Sequence, residues 1–196
     1  LYAKRENNQL RAMLRLTAPA DINGASYLIR EGDKSDEMYV YLPALGRVRR
    51  IQGSAGDGPL FGTDLSYADL KQVQNAFEGA SSVIEGQETI EGHATTLLGL
   101  RPHTESGSLY TRIRAAIDQK SCVALRVEFY EGQNVRKQLS APAATLAKSG
   151  SYWYVAEAEM KDLKLGTRTT LKITGVQSGE DMAGRYFDSR NFYLGN

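Results

Sequence analysis

Apolar and polar side chains alternate with a period of two along most of this chain, and that pattern leaves few folds open. In residues 9–17, Leu10, Ala12, Leu14 and Leu16 fall on one side and Arg11, Arg15 and Thr17 on the other. Ala25, Tyr27 and Ile29 alternate with Ser26, Leu28 and Arg30, and Met38, Val40 and Leu42 alternate with Tyr39 and Tyr41. Further on, Leu109, Thr111, Ile113 and Ala115 oppose Tyr110, Arg112 and Arg114, while Val123, Leu125, Val127 and Phe129 oppose Arg126 and Glu128. Residues 151–161 and 167–176 read as two more strands. Successive strand residues point to opposite faces, so the pattern predicts one buried and one wet face, paired antiparallel. The polar breaks Asp118-Gln119-Lys120, Gly132-Gln133-Asn134 and Lys164-Leu165-Gly166 have the length of hairpin loops. Strands joined this closely form a meander that curls into a barrel or half-barrel.

One segment has helical spacing instead. Asp64 or Ser66 is suited to cap it, Asp69 suits the positive first turn, and Tyr67, Leu70, Val73 and Phe77 share a face. A Gly-rich stretch, residues 53–62, leads into it. An amphipathic helix hung between loops serves either as a lid over a sheet or as an ordinary core helix, and spacing alone leaves both readings open.

The remaining features mostly exclude. The 196 residues, without repeat or linker, are expected to form one domain. A formal charge of +1 speaks against a dedicated nucleic-acid binder, and no apolar run reaches the ~18 residues needed to span a bilayer. Cys122 is the only cysteine, so an intrachain disulfide or a cysteine-rich metal site is impossible; it is expected to pack in a strand. Gly53, Gly56, Gly58 and Gly62 lack the Gly-Lys-Ser/Thr ending of a phosphate loop. His93 and His103 have no acidic residue or cysteine at ligand spacing and are expected in loops or facing solvent. Asp33, Asp36 and Glu37 read as strand-edge and turn carboxylates. The run Arg47-Val48-Arg49-Arg50 reads as a charged edge strand, with contact to an anionic head group or a partner protein as the alternative. No nucleophile–base pair, metal set or cofactor motif emerges, and an enzyme is not expected.

Several collinear stretches resemble the outer-membrane lipoprotein-sorting protein family, in the superfamily of the LolA and LolB carriers. They are LTAPADINGASYLI at 16–29, MYVYLPALGRVRRI at 38–51, FGTDLSYADL at 61–70, LYTRIRAAIDQKSCVALRVEFYEGQNVRKQL at 109–139, AEMKDLKLGTRTTLKI at 158–173 and YFDSRNFYL at 186–194. The resemblance implies a mainly β chain: a strongly curved, unclosed antiparallel half-barrel with a few helices covering its concave face. It implies one LolA-like domain over residues 1–196, beginning at Leu1 without the family's N-terminal helix and first strand.

What the resemblance implies for function is a periplasmic carrier of a hydrophobic, acyl-bearing ligand, either a lipoprotein or a free lipid. An inner-membrane transporter or an outer-membrane acceptor would be its partner, with no nucleic acid, cofactor or metal involved. On this view Leu14, Leu16, Tyr27, Ile29, Met38, Val40, Ile113, Leu125, Val127, Leu171 and Ile173 line the cavity, and Leu70, Val73 and Phe77 form the lid. Packed core without a vacancy is the plain alternative for each. A regulatory or sensor module that binds an envelope protein through the same fold is the other expectation. There the tyrosines and arginines Tyr39, Tyr41 and Arg49 would matter more than a cavity.

Overall fold

The computed structural model describes residues 1–32, 36–51, 58–66, 69, 82–102 and 109–194. They form two compact units, one of residues 1–55 with 179–196 and one of residues 56–178.

The first unit is a five-stranded antiparallel meander: β1 (Tyr2–Glu6), β2 (Gln9–Arg15), β3 (Ser26–Arg30), β4 (Glu37–Leu42) and β5 (Arg47–Ile51), paired in chain order. Asn7 and Asn8 both take positive φ, 52° and 62°, which gives the tight turn between β1 and β2 the twist a two-residue hairpin needs. Across the sheet Leu14 faces Tyr27 and Tyr27 faces Val40, while Ala12, Ile29 and Met38 make the neighbouring row. These residues share one face, as alternation predicts. The other face is not wet, contrary to the expectation from Arg11, Arg15 and Arg30. Met13 and Leu28 lie on it, fully buried against Phe187 and Phe192 of the C-terminal segment, with Tyr39, Tyr41 and Val48 packed around them. Tyr41 stacks on Tyr193 at 3.9 Å between ring centres, and Tyr2 on Tyr186 at 4.5 Å. A sheet of this size becomes stable when an apolar face is covered, and here the chain's own far end covers one.

The second unit holds a seven-stranded antiparallel sheet in the order β14-β13-β10-β9-β8-β7-β6. Its strands are β6 (Ser82–Ile90), β7 (His93–Leu100), β8 (Arg112–Asp118), β9 (Ala124–Glu131), β10 (Asn134–Ser140), β13 (Glu157–Asp162) and β14 (Thr167–Lys172). A separate hairpin, β11 (Leu146–Ser149) and β12 (Tyr152–Val155), lies between β10 and β13 in the chain. The core face of the seven-stranded sheet carries Leu100, Ile113, Ala115, Val127, Phe129 and Met160. The opposite face is a ladder of ion pairs in which Glu85 meets Arg112 and Arg114, and Arg126 meets Glu88 and Glu128. Neither sheet closes on itself, so the mainly β, unclosed architecture is as expected.

Covering helices are not confirmed. Apart from Asp69, helical backbone among the described residues is confined to 3-10 turns of three or four residues. Leu70, Val73 and Phe77 lie outside the described residues. Ser66 and Asp69 do exchange hydrogen bonds, Ser66 N–H to Asp69 Oδ2 (2.8 Å) and Asp69 N–H to Ser66 Oγ (3.1 Å). This reciprocal pairing joins Ser66 and not Asp64 to Asp69, and the residues after Asp69 on which the expected helix falls lie outside those described. No helix among the described residues is long and apolar enough to cross a membrane.

Candidate functional site

The residues expected to line a cavity divide between the units. In the first, Leu14, Tyr27, Met38 and Val40 are half-buried and Ile29 is buried, all on the face away from Phe187 and Phe192. Leu16, also half-buried, prolongs the same pairing by donating its N–H to the Ala25 carbonyl at 2.9 Å. Burial pushes the Tyr27 phenol above its ordinary pKa, as partial removal from water disfavours a phenolate. In the second unit Ile113 and Val127 are packed into the core with Phe129 and Met160, and Leu125 is buried where the register of β8 with β9 shifts. Leu171 is 46% exposed on β14 opposite Ala158, and Ile173 is half-buried beyond the strand's end. The structure therefore shows one set of residues packed tightly and another only partly covered.

Sequence reasoning missed a polar corner on the core face of the second unit. Lys137 shares the parity of Leu139 on β10 and stands opposite Asp162, so its inward position was readable from the same alternation. Its ammonium donates to Asp69 Oδ2 and to the Asp64 carbonyl, each at 2.8 Å. Tyr110 donates its hydroxyl to Asp69 Oδ1 at 2.5 Å. The Asp69 carboxylate thus has an ammonium, a phenol and a backbone N–H as partners, which suits an anchor rather than a proton carrier. Asp64 accepts from the hydroxyls of Thr167 and Thr169. Burial raises its pKa, but those two hydroxyls and Lys137 outweigh burial and hold the carboxyl below the usual range. Together these contacts tie Asp64 and Asp69 to β10 and β14, beside a cleft of about 170 Å³ lined by Pro59, Thr63, Tyr110 and Leu165 among others.

A second polar group overturns the expectation for His93. Its Nδ1 lies 3.0 Å from Asp118 Oδ1, at the paired ends of β7 and β8. The Ser121 hydroxyl donates to Asp118 Oδ2 at 2.6 Å, so its proton points to the carboxylate and not to the imidazole. A nucleophile needs its base as hydrogen-bond partner, and this serine has the acid instead. Cys122 is exposed, in the turn after β8 with φ of 59°, and not packed in a strand. His103 lies outside the described residues, and among those described no cluster of His, Cys, Asp and Glu could hold a metal ion. Of the residues on which a sensor would rely, Tyr39 and Tyr41 are taken up by packing against the C-terminal segment, while Arg49 is exposed on the edge strand β5.

The chain is built of unclosed antiparallel sheets with an apolar face, and comparison with solved structures shows that it has a LolA-like fold. A family model described as "uncharacterized protein" matches residues 8–193, and the chain belongs to that family. Among solved structures it is similar to a DUF1329 family protein from Desulfovibrio piger, with a TM-score of 0.88 and 24% identity over 95% of this chain and 80% of that one. It is also similar to a domain described as an outer membrane lipoprotein-sorting protein from Vibrio parahaemolyticus (TM-score 0.70, 23% identity, 87% of this chain and 74% of that one). A LolA superfamily protein from Nitrosomonas europaea aligns with a TM-score of 0.69 and 17% identity over 91% of this chain and 76% of that one. No curated protein matches the sequence. The resemblance read from the sequence is thus borne out as a shared fold.

Proposed function

We propose that this protein is a non-enzymatic carrier for a hydrophobic, acyl-bearing ligand, lipoprotein or lipid, in the periplasm of a Gram-negative envelope. One observation carries the reading. In the first unit Phe187 and Phe192 seal one face of the sheet, whereas on the other face Leu14, Tyr27 and Val40 stand in register across three strands, with Met38 in the next row, and all four are only half-buried. Each methylene buried is worth about 0.8 kcal/mol, so an acyl chain leaves a bilayer only for a comparably apolar container. A row of aliphatic side chains with one phenol at its centre suits that purpose. The LolA-like fold supports the reading, because two of the similar structures are a lipoprotein-sorting domain and a LolA superfamily protein.

The test is detergent-free purification from a bacterial host, solvent extraction and mass spectrometry of the extract, with Val40→Trp beside the natural protein. Lipid or acylated peptide in stoichiometric amount, reduced in the tryptophan variant at unchanged thermal stability, is the expected result. A lipid-free extract, together with no uptake of a fluorescent fatty acid by either protein, would end the proposal.

A further inference from the structure

The hairpin β11–β12 brings three consecutive aromatic residues, Tyr152, Trp153 and Tyr154, to a two-residue turn at Gly150 and Ser151. Tyr152, beside the turn, is 69% exposed, and Trp153 is 39% exposed. In the pairing register Trp153 stands opposite Lys148, whose ammonium lies 4.4 Å from the centre of the indole ring. The hairpin is tied to the chain that follows β14. The Ser149 hydroxyl donates to the Val176 carbonyl at 3.0 Å, and the Ser178 hydroxyl donates to the Ser149 carbonyl at 3.2 Å. Val176, on that neighbouring stretch of chain, is itself 40% exposed.

Charge says what such a surface fits. Residues 141–156 contain no aspartate or glutamate, and residues 173–178 carry no charge at all, so Lys148 is the only charged side chain of the hairpin and its support. Its ammonium makes no ion pair with the described residues and rests on the indole instead. Tyrosine and tryptophan favour the boundary between lipid head groups and hydrocarbon, because one end of the ring system is apolar and the other is wet. A lysine at the same level meets lipid phosphates there. We propose that the β11–β12 hairpin docks on a lipid bilayer containing anionic phospholipid, with Tyr152 and Trp153 at head-group level and Lys148 among the phosphates. The inference is independent of the carrier reading, because a sheet holding no ligand would still dock in this way.

Trp153 is the only tryptophan of the chain, so its emission reports on this hairpin alone. The full chain is titrated with phosphatidylcholine vesicles, with and without phosphatidylglycerol, following emission and co-sedimentation. The expected result is a blue shift, quenching by lipids brominated near the head of the acyl chain, and tighter binding when phosphatidylglycerol is present. Lys148→Gln should weaken binding severalfold to the anionic vesicles only, and Tyr152→Ser should weaken it severalfold to both. Both changes fall at exposed or partly exposed positions, and matching circular dichroism and thermal melts serve as the folding control. Co-sedimentation without an emission shift would overturn the proposal, as would variants that bind like the natural protein. Emission that shifts with a protein partner but not with vesicles would overturn it too, placing a protein where the membrane is proposed.

Discussion

A β-carbon added to Gly99 would lie 1.9 Å from Oε1 of Glu85, so these two residues share one space across β6 and β7. The pairing register of β6 slips between Ile84 and Gly86, and this bulge re-aims Glu85 over β7, as bulges commonly do for one side chain. There its Oε2 meets Arg112 Nη2 at 2.5 Å and Arg114 Nε at 3.2 Å. Without a hydrogen on Gly99 in place of a side chain, the carboxylate could not reach the arginines.

Gly99→Ala should therefore displace Glu85 rather than strain the strand, because the obstructing atoms are the end of a flexible side chain. The lost ion pairs are partly exposed, which limits the cost to about 0.5–1 kcal/mol. In a Glu85→Ala background the same substitution should cost nothing or stabilise slightly, since alanine also restricts the unfolded chain. Urea midpoints of the four proteins check this, and an equal cost in both backgrounds would show that Glu85 is not the obstacle.

Lys137→Met should be far more damaging. Asp69 has no exposed surface and Lys137 little, so removing the ammonium leaves a buried carboxylate short of its counter-charge. Breaking one side of such a pair costs about 3–5 kcal/mol. Asp69→Asn in the Lys137→Met background should recover part of the loss, as a neutral amide needs no counter-ion. Denaturant unfolding of both variants is the measurement, and a loss below 1 kcal/mol for Lys137→Met would refute the anchor.

How far the sequence revealed this fold depended on whether a residue's neighbours are set by local parity. Alternation paired Leu14, Tyr27 and Val40 correctly, because parity within three adjacent strands decides which side chains share a face. It misjudged the opposite face, since the residues covering Met13 and Leu28 come from the far end of the chain. Phe187 and Phe192 sit in turns there, with neither the strand nor the helix period. β6 and β7 were also not foreseen: SVIEGQETI is interrupted by its bulge, and HATTLLGL carries two adjacent leucines. The single strand read at 151–161 is in fact β12 and β13, divided at Ala156. Of the site, Lys137 was readable from its parity with Leu139. The partner of His93 was not, because Asp118 reaches it only through the register of β7 with β8.

The C-terminal seal gives a direct stability prediction. Phe192 is fully buried between Met13, Leu28 and Phe187, and Phe→Ala at such a site costs about 3–5 kcal/mol through lost transfer energy and the cavity left behind. Phe192→Leu keeps most of the volume and should cost less than half as much. Thermal and urea unfolding would settle it, and a Phe192→Ala protein as stable as the natural one would mean that the segment does not seal the sheet.

Acid should reveal the Asp118 cluster. Asp118 is buried, which by itself raises its pKa. The hydroxyl and backbone N–H of Ser121, with His93, outweigh burial and bring the carboxyl below its ordinary range. A folded pKa below the unfolded one makes the charged form stabilising. The contribution is complete above the unfolded value of about 3.9 and is lost as pH falls through the lower folded value. The stability gap between the natural protein and Asp118→Asn should thus stay flat from neutral pH to about pH 4 and shrink below it. Ser121→Ala removes the hydroxyl donor, so its folded pKa rises toward the unfolded one and its stability should fall less steeply in acid. Urea midpoints across a pH series give both curves. A gap that already shrinks between about pH 7 and 5 would show that the Asp118 carboxylate is not the group responsible.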